Sequence, residues 1–214
     1  MAYRHLEELD REWLERRQEI EQRLADFRRA GEGTDDALFR ELVFCLLAVQ
    51  TSAHRSDDAV RALAANGLLW RGSVPDIAAV LRQRVRFHNH KAAYLVAARN
   101  RWVGGDSSLG TWLRTTPPDE TREQLVGELD GFGYKEASHF LRNVGRGEDF
   151  AILDRHILKN LARHGAIRGI PPSLTAKRYL AIEERVRAFA DDVRIPVAAI
   201  DLLFWSRETG EVFK

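Results

Sequence analysis

The 214-residue sequence contains only one cysteine, Cys45, which stands inside the apolar run LVFCLLAV. A single cysteine excludes a disulfide within the chain and a four-cysteine metal or iron–sulfur site. We therefore expect Cys45 to pack in the core as a small apolar side chain.

Long hydrophobic runs are also lacking, and none reaches the roughly 18 residues of a membrane-spanning helix. The beginning, MAYRHLEELDREW, has neither the apolar core nor the cleavage site of a secretory signal. With 44% hydrophobic and 30% charged residues, the composition is typical of a globular protein. We expect a cytoplasmic protein that does not contact a membrane.

No segment alternates between apolar and polar residues as a half-buried strand does. The apolar residues instead recur at spacings of three, four and seven, which is typical of amphipathic helices. In the first helix, which we expect to end near Gly31, this stripe consists of Leu6, Leu9, Trp13, Ile20, Leu24 and Phe27. Thr34 is a candidate cap of a second helix, ALFRELVFCLLAV, which is apolar nearly all round and should be central. The patterns predict an all-α protein.

The formal net charge is only +1, which argues against a strong positive field over the whole protein. The charge is unevenly placed, however. Residues 1–40 carry eight Arg and eleven Asp or Glu, a net charge of −3, whereas residues 131–178 carry nine Lys or Arg and four Asp or Glu, a net charge of +5. The basic segment is either a solvated face or part of a polyanion site.

The basic segment begins with a glycine turn, LDGFGYK, between two predicted helices, ETREQLVGEL and KEASHFLRNV. Gly131 and Gly133 either solve a packing problem at a tight corner or let helix N–H groups reach a phosphate. The spacing alone leaves both interpretations open.

Lys135 stands at the exit of this turn, in a chain where only five of the 33 basic residues are lysines. Arginine would bind phosphate at least as well, but only lysine offers an amine that can lose its proton and form a Schiff base. The alternative is an ordinary solvated lysine.

Asp154 follows the apolar stretch FAIL and precedes the predicted helix RHILKNLARHG, so it suits a helix cap. A lysine and a carboxylate in one cleft are also the minimum needed to displace a base from a sugar.

The segment LDGFGYKEASHFLRNVG…FAILDRH resembles the helix-hairpin-helix and catalytic-aspartate signature of the DNA glycosylase superfamily. The short length, the missing cysteine cluster and the ending DLLFWSRETGEVFK resemble its compact archaeal-type 8-oxoguanine DNA glycosylase/lyase class more closely. The resemblance implies two all-α domains flanking a cleft with the hairpin at its mouth. We expect one domain over residues 32–136 and the other over residues 1–31 plus 137–214.

The same resemblance implies Lys135 as the nucleophile and Asp154 as its electrostatic partner. It implies that Gly131, Gly133 and Tyr134 clamp the DNA strand, with a monovalent cation held by hairpin carbonyls rather than by side chains. Arg86 and Phe87 are candidates for a wedge that fills the space left by a flipped base, although Phe87 could instead be core. His88 and His90 lack a third ligand for a metal site.

The C-terminal tail is the candidate base pocket. Oxidation at C8 turns guanine N7 from an acceptor into a donor, so an acceptor placed there would select the lesion. The resemblance places Asp201, Trp205 and Lys214 in this pocket, together with Gln50 from the cleft; Trp205 could instead be helix core, and Gln50 a polar helix end.

The predicted function is excision of 8-oxoguanine through a Lys135 imine, followed by β-elimination at the abasic site. The predicted partner is double-stranded DNA containing 8-oxoguanine, and we expect a monomer without a cofactor. The alternatives are a glycosylase for another oxidised base and a non-catalytic DNA-binding module.

Overall fold

The computed structural model describes residues 2–103 and 108–214. Within these ranges the protein forms helices and no strand, so the prediction of an all-α protein is confirmed. Among the described residues, none of the helices combines the length and the apolar character of a membrane-spanning segment. The helices are α1 (Leu6–Gly31), α2 (Asp35–Leu47), α3 (Ala53–Ala65), α4 (Leu68–Arg71), α5 (Val74–Leu81), α6 (His88–Trp102), α7 (Leu109–Thr115), α8 (Pro118–Glu128), α9 (Tyr134–Asn143), α10 (Arg155–Arg163), α11 (Ala176–Val193) and α12 (Val197–Thr209).

The chain divides into two compact units. We call Ala30–Phe140 the middle unit, and Met1–Arg29 together with Leu141–Lys214 the terminal unit. The domain boundaries expected at residues 31/32 and 136/137 stay a prediction.

Helix α2 is the core of the middle unit. Its N-terminus is capped by Thr34, whose hydroxyl accepts the N–H of Ala37 at 3.3 Å, as the sequence predicts. The buried side chains of α2 are Leu38, Phe39, Leu42, Val43, Phe44, Cys45, Leu46 and Leu47. Cys45 is completely buried, which confirms its role as a small core residue. Helices α3, α6 and α7 pack against α2, and burying each large apolar side chain contributes about 1.5–3 kcal/mol.

The terminal unit is built around α12, which packs against α10 and α11. Pro196 precedes α12, and Gly210 ends it with a φ of 88°. Helix α1 belongs to this unit except for its last two residues, and it buries Leu9, Ile20, Leu24 and Phe27, four residues of the predicted stripe. The same unit is fastened by Arg207, which donates from Nη2 to the carboxylate of Glu12 at 2.5 Å.

Candidate active site

The hairpin between α8 and α9 is confined to Leu129–Gly133, and Gly131 makes it possible. Gly131 has a φ of 84°, which side-chain-bearing residues rarely adopt. A Cβ atom on Gly131 would also lie 2.7 Å from Cδ2 of Tyr94. The sequence requires glycine here for two reasons, its backbone angle and the closeness of the Tyr94 ring.

Glu136 organises the exit of the hairpin. Its Oε2 accepts the N–H of Gly133 at 3.2 Å, and its Oε1 lies 3.9 Å from Nζ of Lys135. Glu136 therefore accepts the backbone N–H of Gly133, one of the N–H groups that the sequence suggested for phosphate binding. Lys135 lies in the first turn of α9, and 24% of its side chain is exposed.

Three successive hairpin carbonyls, those of Asp130, Gly131 and Phe132, accept no hydrogen bond from any described residue. Backbone carbonyl oxygens are ligands that hard cations accept. The hairpin therefore has oxygen donors of the kind that a monovalent cation needs. Among the described residues there is no group of three His, Cys, Asp or Glu side chains suited to a metal ion.

Lys91, in the first turn of α6, is buried in the middle unit with only 3% exposure. Its Nζ donates to Leu47 O at 2.8 Å, to Val49 O at 2.7 Å and to Thr51 Oγ1 at 3.0 Å. The pKa of Lys91 is lowered from its ordinary 10.5 to about 8, chiefly by burial. The Arg86 cation and, more weakly, Lys135 act in the same direction, and Glu136 opposes them.

Two residues of the middle unit that are candidates for contacting DNA, one in the base pocket and one in the wedge, adopt left-handed backbone angles. Gln50 has a φ of 51° and is exposed, and Phe87 has a φ of 56° and is 48% exposed. Phe87 is therefore not a core residue. The guanidinium carbon of Arg86 lies 5.5 Å from the Phe87 ring centroid, so the two side chains form one exposed cation–aromatic pair.

Tyr134 begins α9, and its side chain points back to α8. Its hydroxyl lies 2.7 Å and 2.9 Å from the two carboxylate oxygens of Glu123. The guanidinium carbon of Arg122 lies 5.4 Å from the centre of the Tyr134 ring. These contacts join the two helices of the hairpin, and strand binding by Tyr134 stays a prediction.

In the terminal unit, Asp154 is the N-cap of α10. Its Oδ1 accepts the N–H groups of His156 and Ile157, each at 2.8 Å. Among the described residues, no hydrogen bond or ion pair engages its Oδ2. The capping interpretation of Asp154 is confirmed, and one carboxylate oxygen is left for a second role.

The candidate pocket residues of the terminal unit lie on α12 and on the tail that follows it. Asp201 is buried, and its Oδ2 lies 3.0 Å from Nη1 of Arg142. Trp205 is half-buried, so it is not simply helix core, and its ring centroid lies 6.5 Å from that of Phe213. Lys214 is half-buried as well.

The structure thus groups the candidate residues within each unit. In the middle unit, Arg86 and Lys135 both lower the pKa of Lys91. In the terminal unit, Trp205 and Phe213 are neighbours. Sequence reasoning did not find Lys91, Glu136 or Arg142. For Lys91, the scarcity of lysine was the available signal, because it applied to Lys91 as much as to Lys135.

Comparisons with known proteins agree over nearly the whole chain. The profile of the 8-oxoguanine DNA glycosylase family matches residues 20–195. A relative from Fusobacterium nucleatum, named 8-oxoguanine DNA glycosylase/AP lyase, is 39% identical over 213 residues, which is 98% of each chain. The crystal structure of the 8-oxoguanine DNA glycosylase of Thermotoga maritima has a TM-score of 0.86 at 36% identity, with 98% of each chain covered.

A structure from Methanocaldococcus jannaschii, of an 8-oxoguanine glycosylase/lyase in complex with 15mer DNA containing 8-oxoguanine, has a TM-score of 0.82 at 29% identity. The match covers 96% of this chain and 99% of that chain. The all-α fold and the hairpin define a helix-hairpin-helix protein. The profile and the full-length relatives show that this chain belongs to the 8-oxoguanine DNA glycosylase family. The resemblance predicted from the hairpin, lysine and aspartate is confirmed.

Proposed function

We propose that the protein excises 8-oxoguanine from double-stranded DNA and then cuts the strand at the resulting abasic site. Membership of the family, with a relative that matches 98% of the chain, supports the two activities that the relatives carry in their names. The observation that carries the assignment to a residue is the position of Lys135. Its side chain is partly exposed, and the residue lies in the first turn of the helix that follows the glycine hairpin.

The chemistry assigned to Lys135 is nucleophilic displacement. The unprotonated amine attacks C1′ of the damaged nucleotide, the bond from C1′ to the base nitrogen breaks, and the electron pair and a proton leave with the base. The sugar ring then opens to an imine between Nζ and C1′. Loss of a C2′ proton expels the 3′ phosphate oxygen and cuts the strand, and water hydrolyses the imine.

Asp154 is the proposed electrostatic partner. Positive charge develops on the sugar as the base leaves, and a carboxylate stabilises such oxocarbenium-like charge. The two N–H groups that hold Oδ1 fix the carboxylate before DNA arrives, while Oδ2 keeps its acceptor capacity. A preorganised charge of this kind needs no reorganisation during the reaction.

Recognition of the lesion is proposed for Gln50, Asp201, Trp205 and Lys214, and strand opening for Arg86 with Phe87. The exposure and the left-handed backbone of Phe87 support the wedge role, because an intercalating ring must project from the surface. The hairpin residues Gly131, Gly133 and Tyr134 would bind the strand, and the free hairpin carbonyls would hold a monovalent cation that attracts phosphate. We place the enzyme in the cytoplasm, as a monomer without an organic cofactor.

The test is incision and trapping on a duplex with a single 8-oxoguanine. The unchanged protein should cut the labelled strand and form a covalent adduct when borohydride reduces the imine. Lys135→Gln should form no adduct while keeping its helical circular dichroism. Lys159→Gln, which removes an exposed lysine of the terminal unit, is the matched control and should trap normally.

Undiminished trapping by Lys135→Gln would reject the assignment of the nucleophile. Absence of incision by the unchanged protein would reject the function itself. Duplexes with an oxidised pyrimidine in place of 8-oxoguanine should be cut far more slowly.

A further inference from the structure

Lys91 carries a buried ammonium group whose three N–H donors are all hydrogen-bonded. An ammonium group has three donors, and the three acceptors of Lys91 come from one short segment, Leu47 to Thr51. Two of them are backbone carbonyls at and just beyond the end of α2, where a cation is favoured by the helix dipole. Burying a charge is costly unless it is fully hydrogen-bonded, and here the segment Leu47 to Thr51 supplies every acceptor.

The hydroxyl of Thr51 extends the connection from Lys91 to a second segment. Thr51 Oγ1 accepts from Lys91 Nζ at 3.0 Å and from the backbone N–H of Arg86 at 3.3 Å, and it donates to Val49 O at 3.3 Å. One hydroxyl offers one donor and two acceptor positions, so all of its capacity is used. The backbone N–H of Lys91 also donates to Phe87 O at 3.0 Å.

Lys91 therefore joins two segments, each with one left-handed residue that is not glycine. Gln50 lies between Val49 and Thr51, and Phe87 follows Arg86. Side-chain-bearing residues keep such backbone angles only where the surroundings enforce them. The contacts of Lys91 and Thr51 flank both residues and supply that constraint.

We propose that Lys91 is a positioning residue, which acts through Thr51 to hold Gln50 and Phe87 in their exposed left-handed conformations before DNA binds. The proposal rests on the proposed function, in which Gln50 and Phe87 contact the opened duplex. Holding them in advance removes the cost of ordering two segments at the moment the base leaves the stack. Lys91 itself touches no reacting atom.

A positioning residue of this kind predicts a selective defect. Extrusion of 8-oxoguanine from a paired duplex needs both segments, whereas a preformed abasic site has no base to extrude. Lys91→Met should therefore slow single-turnover excision from the duplex about tenfold or more, because the left-handed conformations of Gln50 and Phe87 are then no longer enforced. Borohydride trapping on a preformed abasic duplex should change by less than about threefold, because that substrate requires no base extrusion.

The experiment compares four variants with the unchanged protein. Lys91→Met removes the donors, and Lys159→Met removes an exposed lysine of the terminal unit as the matched control. Thr51→Val removes the hydroxyl at nearly constant shape, so it tests the connection even if Lys91→Met fails to fold. Thr51→Ser restores the hydroxyl and should recover the excision lost in Thr51→Val. A 2-aminopurine base beside the lesion reports unstacking by its fluorescence.

The proposal predicts slow excision, a weakened fluorescence rise and near-normal abasic trapping in Thr51→Val and in folded Lys91→Met. Excision by Thr51→Val as fast as by Lys159→Met overturns it. Excision and abasic trapping that fall by the same factor in folded protein overturn it too, because the defect would then lie in the chemistry. Excision absent from the unchanged protein would reject the proposed function first, and loss confined to the variants distinguishes the two failures.

Discussion

Arg142 and Asp201 form a buried ion pair in the terminal unit, with Nη1 3.0 Å from Oδ2. The Arg142 guanidinium carbon also lies 4.8 Å from the centre of the Phe27 ring. A charge left behind in such surroundings costs far more than the intact pair contributes. Asp201, a candidate pocket residue, is therefore also a structural residue.

Asp201→Asn should lower the free energy of unfolding by about 3 kcal/mol, because the Arg142 cation loses its buried counter-charge. Urea denaturation followed by circular dichroism measures this. Replacing both residues, as Arg142→Met with Asp201→Leu, should recover part of the loss, since no unpaired charge then remains. Unchanged stability of Asp201→Asn would show that the pair is not coupled to folding.

Gly131 and Gly127 form a matched pair for the hairpin. Gly131→Ala should destabilise the protein by at least about 1–2 kcal/mol, from the left-handed backbone alone, and the new Cβ would collide with Tyr94. Gly127 lies inside α8 with nothing near its missing Cβ. Gly127→Ala should stabilise by about 0.5–1 kcal/mol. Equal effects in thermal unfolding would contradict the requirement for glycine in the turn.

Much of the helical architecture could be predicted because its causes are local. The Thr34 cap, the end of α1 at Gly31 and the burial of α2 follow from spacing and capping within a few residues. The start of α3 is less evident from local signals. Its N-cap Ser52 accepts no capping hydrogen bond through its side chain, and the next serine, Ser56, is buried and donates its hydroxyl proton to Ser52 O at 3.0 Å.

The contacts that support the candidate site depend on residues far apart in the sequence. Lys91 Nζ reaches Leu47 O across 44 residues, and nothing local distinguishes Lys91 from a surface lysine. Arg142 likewise meets Asp201 only after the chain folds. The sequence could indicate candidate reactive residues by type and spacing, but not the side chains that hold them in place.

Asp154 is both a helix cap and the proposed electrostatic partner, and its two roles can be separated. Asparagine caps helices about as well as aspartate but carries no charge. Asp154→Asn should therefore change the free energy of unfolding by less than about 1 kcal/mol while excision falls by two or more orders of magnitude. Asp154→Ala should lose stability as well, by about 1 kcal/mol. Full excision by Asp154→Asn would remove the carboxylate from the mechanism.

His164 should make the terminal unit sensitive to acid. Burial lowers the pKa of His164 below its ordinary 6.5, and the nearby cations Arg207 and Arg163 act in the same direction, although the bond to the Arg4 carbonyl opposes them. As the pH falls, the His164 imidazole is therefore protonated more readily in the unfolded chain than in the folded protein. This stability is fully present above about pH 6.5 and is lost as the pH falls toward the folded-state pKa.

The change that tests this is His164→Phe. Phenylalanine keeps the ring that stacks on Phe204 at 5.3 Å but cannot titrate. It also lacks the bonds of the imidazole to Arg4 and Arg207, so the variant should be less stable at pH 7.5. Its unfolding free energy should fall less steeply between pH 7 and pH 5 than that of the unchanged protein. Parallel pH profiles would rule out His164 as the source.

Phe87 should matter for opening the duplex and hardly at all for folding. Its ring is 48% exposed, so Phe87→Ala should change the free energy of unfolding by less than about 0.5 kcal/mol. Leu14→Ala, at an exposed apolar residue of α1, is the control for loss of surface hydrophobicity. If the ring fills the space left by the flipped base, Phe87→Ala should slow excision about tenfold or more, since unstacking costs a few kcal/mol. Phe87→Trp should retain excision, because a larger ring still intercalates, whereas Phe87→Ala matching Leu14→Ala in rate would leave the ring without a part in base extrusion.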